Sequence, residues 1–314
     1  MRGVVVGAGG VGGYFGARLA QAGGDVCVLA RGAHLRAIRE RGLHIVSPDG
    51  DLEVHVAAED DPAVIGPCEA VLFCVKSYDG EAAAASLGPL LGPDTAIVPL
   101  LNGIDHLDVL AAAAGRGHVL GGMAAVFAER VGPGIIKHRG GPGWITFGEL
   151  DGRSTPRAER LLELCRQAEI AHDLADDILS VMWQKLAFIC AQAGLTATTR
   201  LPLGEIRTCK PAFELYHRIL EEVLAVAEAE GISVREGAIE RMLDFARGLE
   251  PDTFSSLHDD LVAGRRIELE ALHGAVLRRA RTRGIAVPAC EAVYALLAPW
   301  AERNASADDG GARS

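Results

Sequence analysis

The stretch "GVVVGAGGVGG", residues 3–13, constrains this chain more than any other. Residues 4–6 are an unbroken β-branched run, the pattern of a strand buried on both faces. "YFGARLAQAG", from Tyr14, carries apolar residues at helical spacing before a glycine stop. Few folds pass from strand to helix at once through five glycines between Gly7 and Gly13. Gly7, Gly9 and Gly12 stand as G-x-G-x-x-G. Gly7 permits the tight turn, Gly9 lets backbone approach a pyrophosphate, and Gly12 lets helix pack on strand, so that phosphates meet the positive helix N-terminus. Gly7, Ala8, Gly9, Gly10, Val11 and Gly12 are therefore the candidate dinucleotide loop, against the plainer alternative of a glycine-rich turn with no ligand. The same glycines interrupt the apolar run of residues 2–17, which reads as this loop and not as an export signal.

The rhythm continues beyond the loop. "DVCVLAR" is a second strand, "CEAVLFCVKSYD" and "TAIVPLLNG" are two more, and each precedes a helix candidate. "LHIVSPDGDLEVHV" alternates on both sides of a Pro-Asp-Gly-Asp turn and reads as a hairpin. Repeated βαβ units imply a parallel sheet covered by helices. "AAVFAERV", "IIKHR" and "WITFGE" are expected as antiparallel strands at a sheet edge. A helix near 156–168 and a short strand near His172 complete this half. After Asp176 only amphipathic helices are expected, over 178–193, 211–230, 235–248, 252–262, 266–283 and 289–303. The fold class is α/β: an N-terminal Rossmann-type parallel-sheet domain with antiparallel edge strands, residues 1–173, then an all-α domain, 174–303. Residues 304–314, "NASADDGGARS", hold nothing apolar beyond alanine and are expected to be disordered.

With 314 residues, 49% of them hydrophobic, the chain can bury the cores of two domains. Its 31 basic and 42 acidic residues give a net charge of -11, which repels nucleic acid and anionic membrane in the absence of a basic patch. The seven cysteines are scattered, with no C-x-x-C and no histidine pair at ligand spacing, so reduced buried thiols are expected and no metal. No other run reaches membrane-spanning length without a charge or a Pro/Gly interruption, so a cytoplasmic enzyme or binding protein is the expectation.

Further candidates lie where strands end. Ala30 and Arg31 follow the second strand, where an NAD site usually carries an acid against the ribose 2′-hydroxyl. Arg31 instead suits a 2′-phosphate, which favours NADP, although a solvated loop arginine is the ordinary alternative. Lys76 and Asn102 follow later strands, on the sheet edge that faces ligand in open α/β folds. Each alone would pass for a surface lysine or a turn residue. "MWQKLAFICAQAGLTA" places one cation, Lys185, in an otherwise apolar or amide run. Glu268 and the pair Ser255 and Ser256 are not distinguished by pattern alone.

Taken in order, "VVVGAGGVGGYFGARLAQAG", "LAR", "VKSYD", "LLNG", "MWQKLAFICAQAGLTA", "PLGEI", "SSLHDDLVAGRRIELEALHGAVLRRA" and "GIAVP" resemble the ketopantoate reductase (2-dehydropantoate 2-reductase) family over nearly the whole chain. The resemblance implies an NADPH-dependent reductase of a small-molecule 2-oxo acid, with a Rossmann domain and a helical domain, and leaves homodimerisation open. It implies that the glycine loop and Arg31 hold the dinucleotide, that Lys76 and Asn102 reach cofactor and substrate, and that Ala128 lines the nicotinamide side. Lys185 matches the catalytic lysine, Ser256 a substrate-binding serine, and Glu268 a glutamate near the cofactor ribose and the reacting centre.

One region departs from the family pattern. Where asparagines typically lie four and eight residues after the catalytic lysine, this chain has Ile189 and Ala193, and Leu203 replaces a third before the Gly-Glu pair. Positions i+4 and i+8 share a helix face with Lys185, so an apolar wall is expected opposite the substrate tail, with Gln192 placed to return one amide. In this reading Lys185 protonates the C2 oxygen while Ser255, Ser256 and Asn102 are candidate donors to the carboxylate. The alternatives are reduction of a more apolar 2-oxo acid, a non-catalytic NADP-binding module, and another two-domain dehydrogenase sharing only the glycine loop.

Overall fold

The computed structural model describes residues 1–141 and 143–311, so Pro142 of the "GGPG" turn and the last three residues lie outside the described part. The chain forms two compact units, residues 1–101 with 105–178, and residues 179–314 joined by the short segment 102–104.

In the first unit, β1 (Arg2–Val6), β2 (Asp25–Leu29), β5 (Ala57–Glu59), β6 (Cys68–Phe73) and β7 (Leu91–Pro99) form one parallel sheet in the order β5-β2-β1-β6-β7. The helices between strands are α1 (Gly10–Gln21), α2 (Gly32–Arg41), the short α3 (Pro62–Ile65), α4 (Gly80–Ala85) and α5 (His106–Ala114). The order runs outward from β1 in both directions, so the switch point lies between β1 and β6, the position at which such sheets open a ligand crevice at their carboxyl ends. Val5, Val28, Ala96 and Val98 are at most 1% exposed, and Phe15 of α1 is fully enclosed with them, which accounts for the continuous apolar runs.

The hairpin residues form β3 (Leu43–Val46) and β4 (Leu52–Val54), paired antiparallel as the alternation implies. They join β9 (Ala128–Gly132) and β10 (Ile135–His138) in a four-stranded sheet, whereas β8 (Leu120–Ala125), β11 (Trp144–Glu149) and β12 (Ala171–Leu174) form a three-stranded one beside α6 (Pro156–Gln167). "AAVFAERV" is thus not one strand. It divides at residues 126–127 because its two halves serve different sheets, and the first half is drawn in by Gly122, where a Cβ would lie 2.6 Å from the Pro99 carbonyl oxygen.

The second unit is helical: α7 (Ile178–Thr199), α8 (Leu203–Thr208), α9 (Lys210–Ala229), α10 (Ala238–Gly248), α11 (Ser256–Val262), α12 (Ala275–Arg283) and α13 (Pro288–Gly311). The division falls at Ile178, a few residues past the expected 173. Helix α7 outruns the expected 178–193, and in the added turns the hydroxyls of Thr196, Thr198 and Thr199 bond back to the carbonyls of Gln192, Gly194 and Leu195, at 2.8, 2.7 and 2.6 Å, so that they are satisfied within the helix. It is the one helix among the described residues long and apolar enough to cross a membrane, and 67% of that window is buried within the protein, as in a core helix. The single helix expected over 266–283 is instead an irregular stretch, a π-turn at Glu270–Gly274 and then α12. Of the tail expected to be disordered, residues 304–311 continue α13, and 312–314 lie outside the described residues. Alanines favour that extension, and buried Asn304 anchors it by donating to the Arg265 carbonyl at 2.8 Å. All seven cysteines are free; Cys68, Cys165, Cys190 and Cys290 are buried as expected, but Cys209 is exposed.

Candidate active site

The glycine loop leaves the carboxyl end of β1 and enters α1 directly. Gly7 has φ +93, a conformation that L side chains rarely adopt, and a Cβ there would lie 2.8 Å from Val75. At Gly12 a Cβ would come within 2.1 Å of the Gly7 carbonyl oxygen, so its absence is what lets α1 lie on β1. Gly9 differs from both. Nothing stands within 4 Å of a Cβ placed on it, so the open side of the loop is there, at the N-cap of α1. These three environments are the ones a dinucleotide loop requires, and the residues present therefore fit that cofactor.

Gly10 brings a further element to the loop. Its missing Cβ would sit 2.1 Å from the Ala128 carbonyl oxygen, so the start of β9 rests on the N-terminus of α1 and Ala128 is brought to the loop. Lys76, half-buried, directly follows Val75, the residue packed on Gly7. Arg31 is exposed just after β2, at the N-cap of α2. One residue escaped sequence reasoning altogether. His34 of α2 is buried beneath the loop, its Nε2 2.6 Å from the Ala8 carbonyl oxygen, and its Nδ1 receives the Gly134 N–H at 2.9 Å. Burial lowers its pKa, with the Ala8 contact opposing and Arg130 adding to the drop. Its only sequence trace was a polar residue on the buried face of α2.

In the helical unit, Lys185, Ile189, Gln192 and Thr196 follow one another along a single face of α7. Burial pushes the Lys185 ammonium down to about 8, and the carboxylate of Glu268 opposes the shift. Glu268 lies just before the π-turn, to which two glycines fasten their neighbours. A Cβ on Gly194 of α7 would meet His273 Nε2 at 2.8 Å, and one on Gly103 would meet the Ala271 carbonyl oxygen at 2.4 Å. Half-buried Asn102, the Glu268 segment and α7 are thus tied to one five-residue turn. No helix-period rule marks that turn in the sequence.

Other candidates fall differently. Ser255 is 9% exposed, and its hydroxyl is engaged by Thr196 Oγ1 at 2.8 Å and by the His258 N–H at 3.1 Å as the N-cap of α11. That contact is eleven residues along α7 from Lys185, roughly 16 Å at 1.5 Å per residue. Ser255 therefore has a structural task, whereas Ser256 is exposed at the first turn of α11. Of the expected apolar wall, Ala193 is 1% and Leu203 0% exposed, so both belong to the core, and only Ile189 keeps accessible surface. Gln192 is 7% exposed. Among the described residues no cluster of His, Cys, Asp and Glu could hold a metal ion.

Comparison with known proteins places this geometry. The family model described as ketopantoate reductase PanE/ApbA matches residues 4–152, and that of its C-terminal part matches residues 177–301. A 2-dehydropantoate 2-reductase of Halobacterium salinarum is 35% identical over 92% of this chain and 95% of its own length. The crystal structure of 2-dehydropantoate 2-reductase from Geobacter metallireducens superposes with a TM-score of 0.87 at 32% identity, covering 95% of this chain and 99% of that one. A D-mandelate dehydrogenase solved with NADH and anilino(oxo)acetate also reaches 0.87, over 97% and 99% of the two chains, but at 22% identity, a likeness of fold alone. With both halves matched by the family and the glycine loop, α7 and the π-turn segment in place, this chain belongs to the ketopantoate reductase family of NADP-dependent oxidoreductases that act on CH-OH groups.

Proposed function

We propose that this protein reduces a 2-oxo acid whose tail is more apolar than that of ketopantoate, with Lys185 as the proton donor. The observation that carries the acid role is the Lys185 ammonium, brought to about 8 by burial and countered by Glu268. An acid works best when its pKa lies near the working pH, and an ammonium facing a developing alkoxide stabilises the transition state more than the neutral ketone. Glu268 keeps the lysine charged enough to donate. Gly7 to Gly12, Arg31, Lys76 and Ala128 would hold NADPH, which supplies the hydride when bound. Ser256 and Asn102 would orient the substrate carboxylate, Ser255 acting from behind by fixing the first turn of α11. A non-catalytic binding module has no use for a lysine held at such a cost in desolvation.

The substrate reading rests on Ile189. It occupies the accessible position one turn beyond Lys185, and a hydroxyl buried against it without a partner costs about 1 to 3 kcal/mol. An alkyl or aryl group instead gains about 0.8 kcal/mol per buried CH₂. A D-mandelate dehydrogenase of the same fold was solved with anilino(oxo)acetate, whose tail is aromatic, which supports the reading. The test is a 2-oxo acid panel followed by NADPH oxidation. Apolar acids such as 2-oxoisovalerate should exceed ketopantoate in kcat/KM by about tenfold, ~1.4 kcal/mol of discrimination. Ile189→Asn should reduce that margin. Ketopantoate turning over best would sink the apolar reading and direct attention to Gln192 as the missing amide.

A further inference from the structure

His34 touches the cofactor loop from below, and its two ring nitrogens have different tasks. Nδ1 receives the Gly134 N–H, so Nδ1 carries no proton; in the neutral ring the proton is then on Nε2, which donates to the Ala8 carbonyl at 2.6 Å. The bond from Gly134, in the turn between β9 and β10, thereby selects the tautomer. The Ala8 carbonyl and the Gly9 N–H belong to one planar trans peptide and point in opposite directions. Holding the carbonyl inward turns the Gly9 N–H outward, at the one loop position where nothing lies within 4 Å of a Cβ.

We infer that His34 is the positioning residue of the cofactor loop, fixing the Ala8–Gly9 peptide so that the Gly9 N–H faces the cofactor pyrophosphate. This rests on the reading that the loop between Gly7 and Gly12 holds that pyrophosphate. A peptide free to turn would present a carbonyl oxygen to the same phosphates, replacing a donor with a repelling acceptor. The Gly134 N–H makes the arrangement depend on the β9–β10 turn as well, since a ring with Nδ1 protonated has no acceptor to offer it.

Two substitutions separate positioning from support, because each keeps one of the two bonds. A glutamine amide nitrogen reaches the place of Nε2 and keeps the donor to Ala8. An asparagine oxygen reaches the place of Nδ1 and keeps the acceptor for Gly134. NADPH dissociation constants, read from cofactor fluorescence, should stay within about threefold for His34→Gln and rise about tenfold or more for His34→Asn, the scale of one lost phosphate donor. Equal weakening in both variants, or none in either, would overturn the inference and leave His34 a packing residue. In the unmodified protein, ¹⁵N-histidine spectra near neutral pH should show the His34 ring protonated on Nε2 alone, and an Nδ1–H ring would overturn it whatever the variants do. Gly9→Val separates the premise from the inference, because a Cβ added there has no protein atom within 4 Å. If Gly9→Val leaves NADPH affinity unchanged, the loop is not the cofactor's seat and both readings fall. If it abolishes binding while His34→Asn binds normally, only the inference about His34 fails.

Discussion

The two units build their parts of the machinery from different material. In the α/β unit the glycine loop is almost entirely backbone: Gly7, Gly10 and Gly12 matter because a Cβ at each would strike a neighbour between 2.1 and 2.8 Å away. In the helical unit the face of α7 is side chains, and the role proposed for Lys185 depends on an ammonium whose pKa burial has moved to about 8. A backbone site is local in sequence and tolerates no added carbon. A side-chain site gathers residues far apart in the chain and tolerates truncation without losing the fold, so the two should fail in different ways.

The largest expected effect tests that contrast directly. Lys185→Ala should lower kcat by roughly two orders of magnitude or more, the scale of general acid catalysis, with NADPH affinity and melting temperature close to those of the unmodified protein. Gly12→Ala should do the reverse. With its Cβ 2.1 Å from the Gly7 carbonyl oxygen, α1 must shift off β1, so melting temperature and NADPH affinity should fall before the chemistry does. Parallel losses of kcat and stability in both variants would erase the distinction between the two kinds of site.

The same contrast explains what the sequence could tell. The loop was legible because its three glycine roles lie within a few residues and follow a strand. The division of labour among strands 120–149 was not, because alternation reveals a strand but not which sheet receives it; Gly122 against Pro99 decides that through contacts distant in sequence. Lys185 stood out as a charge in an apolar run, yet its role came from resemblance, and the apolar wall was drawn too wide. Helical spacing places Ala193 near the face of Lys185 but says nothing of what packs over it. His34 carried no motif at all, since its two partners, Ala8 and Gly134, are separated from it by 26 and 100 residues.

A smaller effect concerns the cofactor's ribose, where the proposed site in the α/β unit would rely on a side chain. Arg31 is exposed and free to approach a 2′-phosphate, a charge-assisted pair worth about 1.5 to 3 kcal/mol. NADPH should therefore bind at least about tenfold more tightly than NADH. Arg31→Ala should remove most of that margin while leaving NADH affinity nearly unchanged, as isothermal titration with both cofactors would reveal. Equal affinities in the unmodified protein would mean that Arg31 is an ordinary solvated residue.

The smallest expected effect is a shift in pH dependence, and it tests whether Glu268 acts on Lys185. The lysine must be protonated to donate, so kcat should be level below its pKa and fall about tenfold per pH unit above it. Burial places that turning point near 8, well below the ordinary 10.5, while the Glu268 carboxylate holds it from falling further. Replacing the carboxylate by a neutral amide removes the negative charge that favours the ammonium form. In Glu268→Gln the descending limb should therefore move to lower pH, by up to about one unit for a single nearby charge, with the plateau at acid pH reduced less than in Lys185→Ala. A limb moving to higher pH would mean that another group, and not this pair, sets the acid's strength. A limb that stays in place would mean that Glu268 serves the cofactor or substrate without tuning the lysine, and the side-chain site would then be two independent groups instead of a coupled pair.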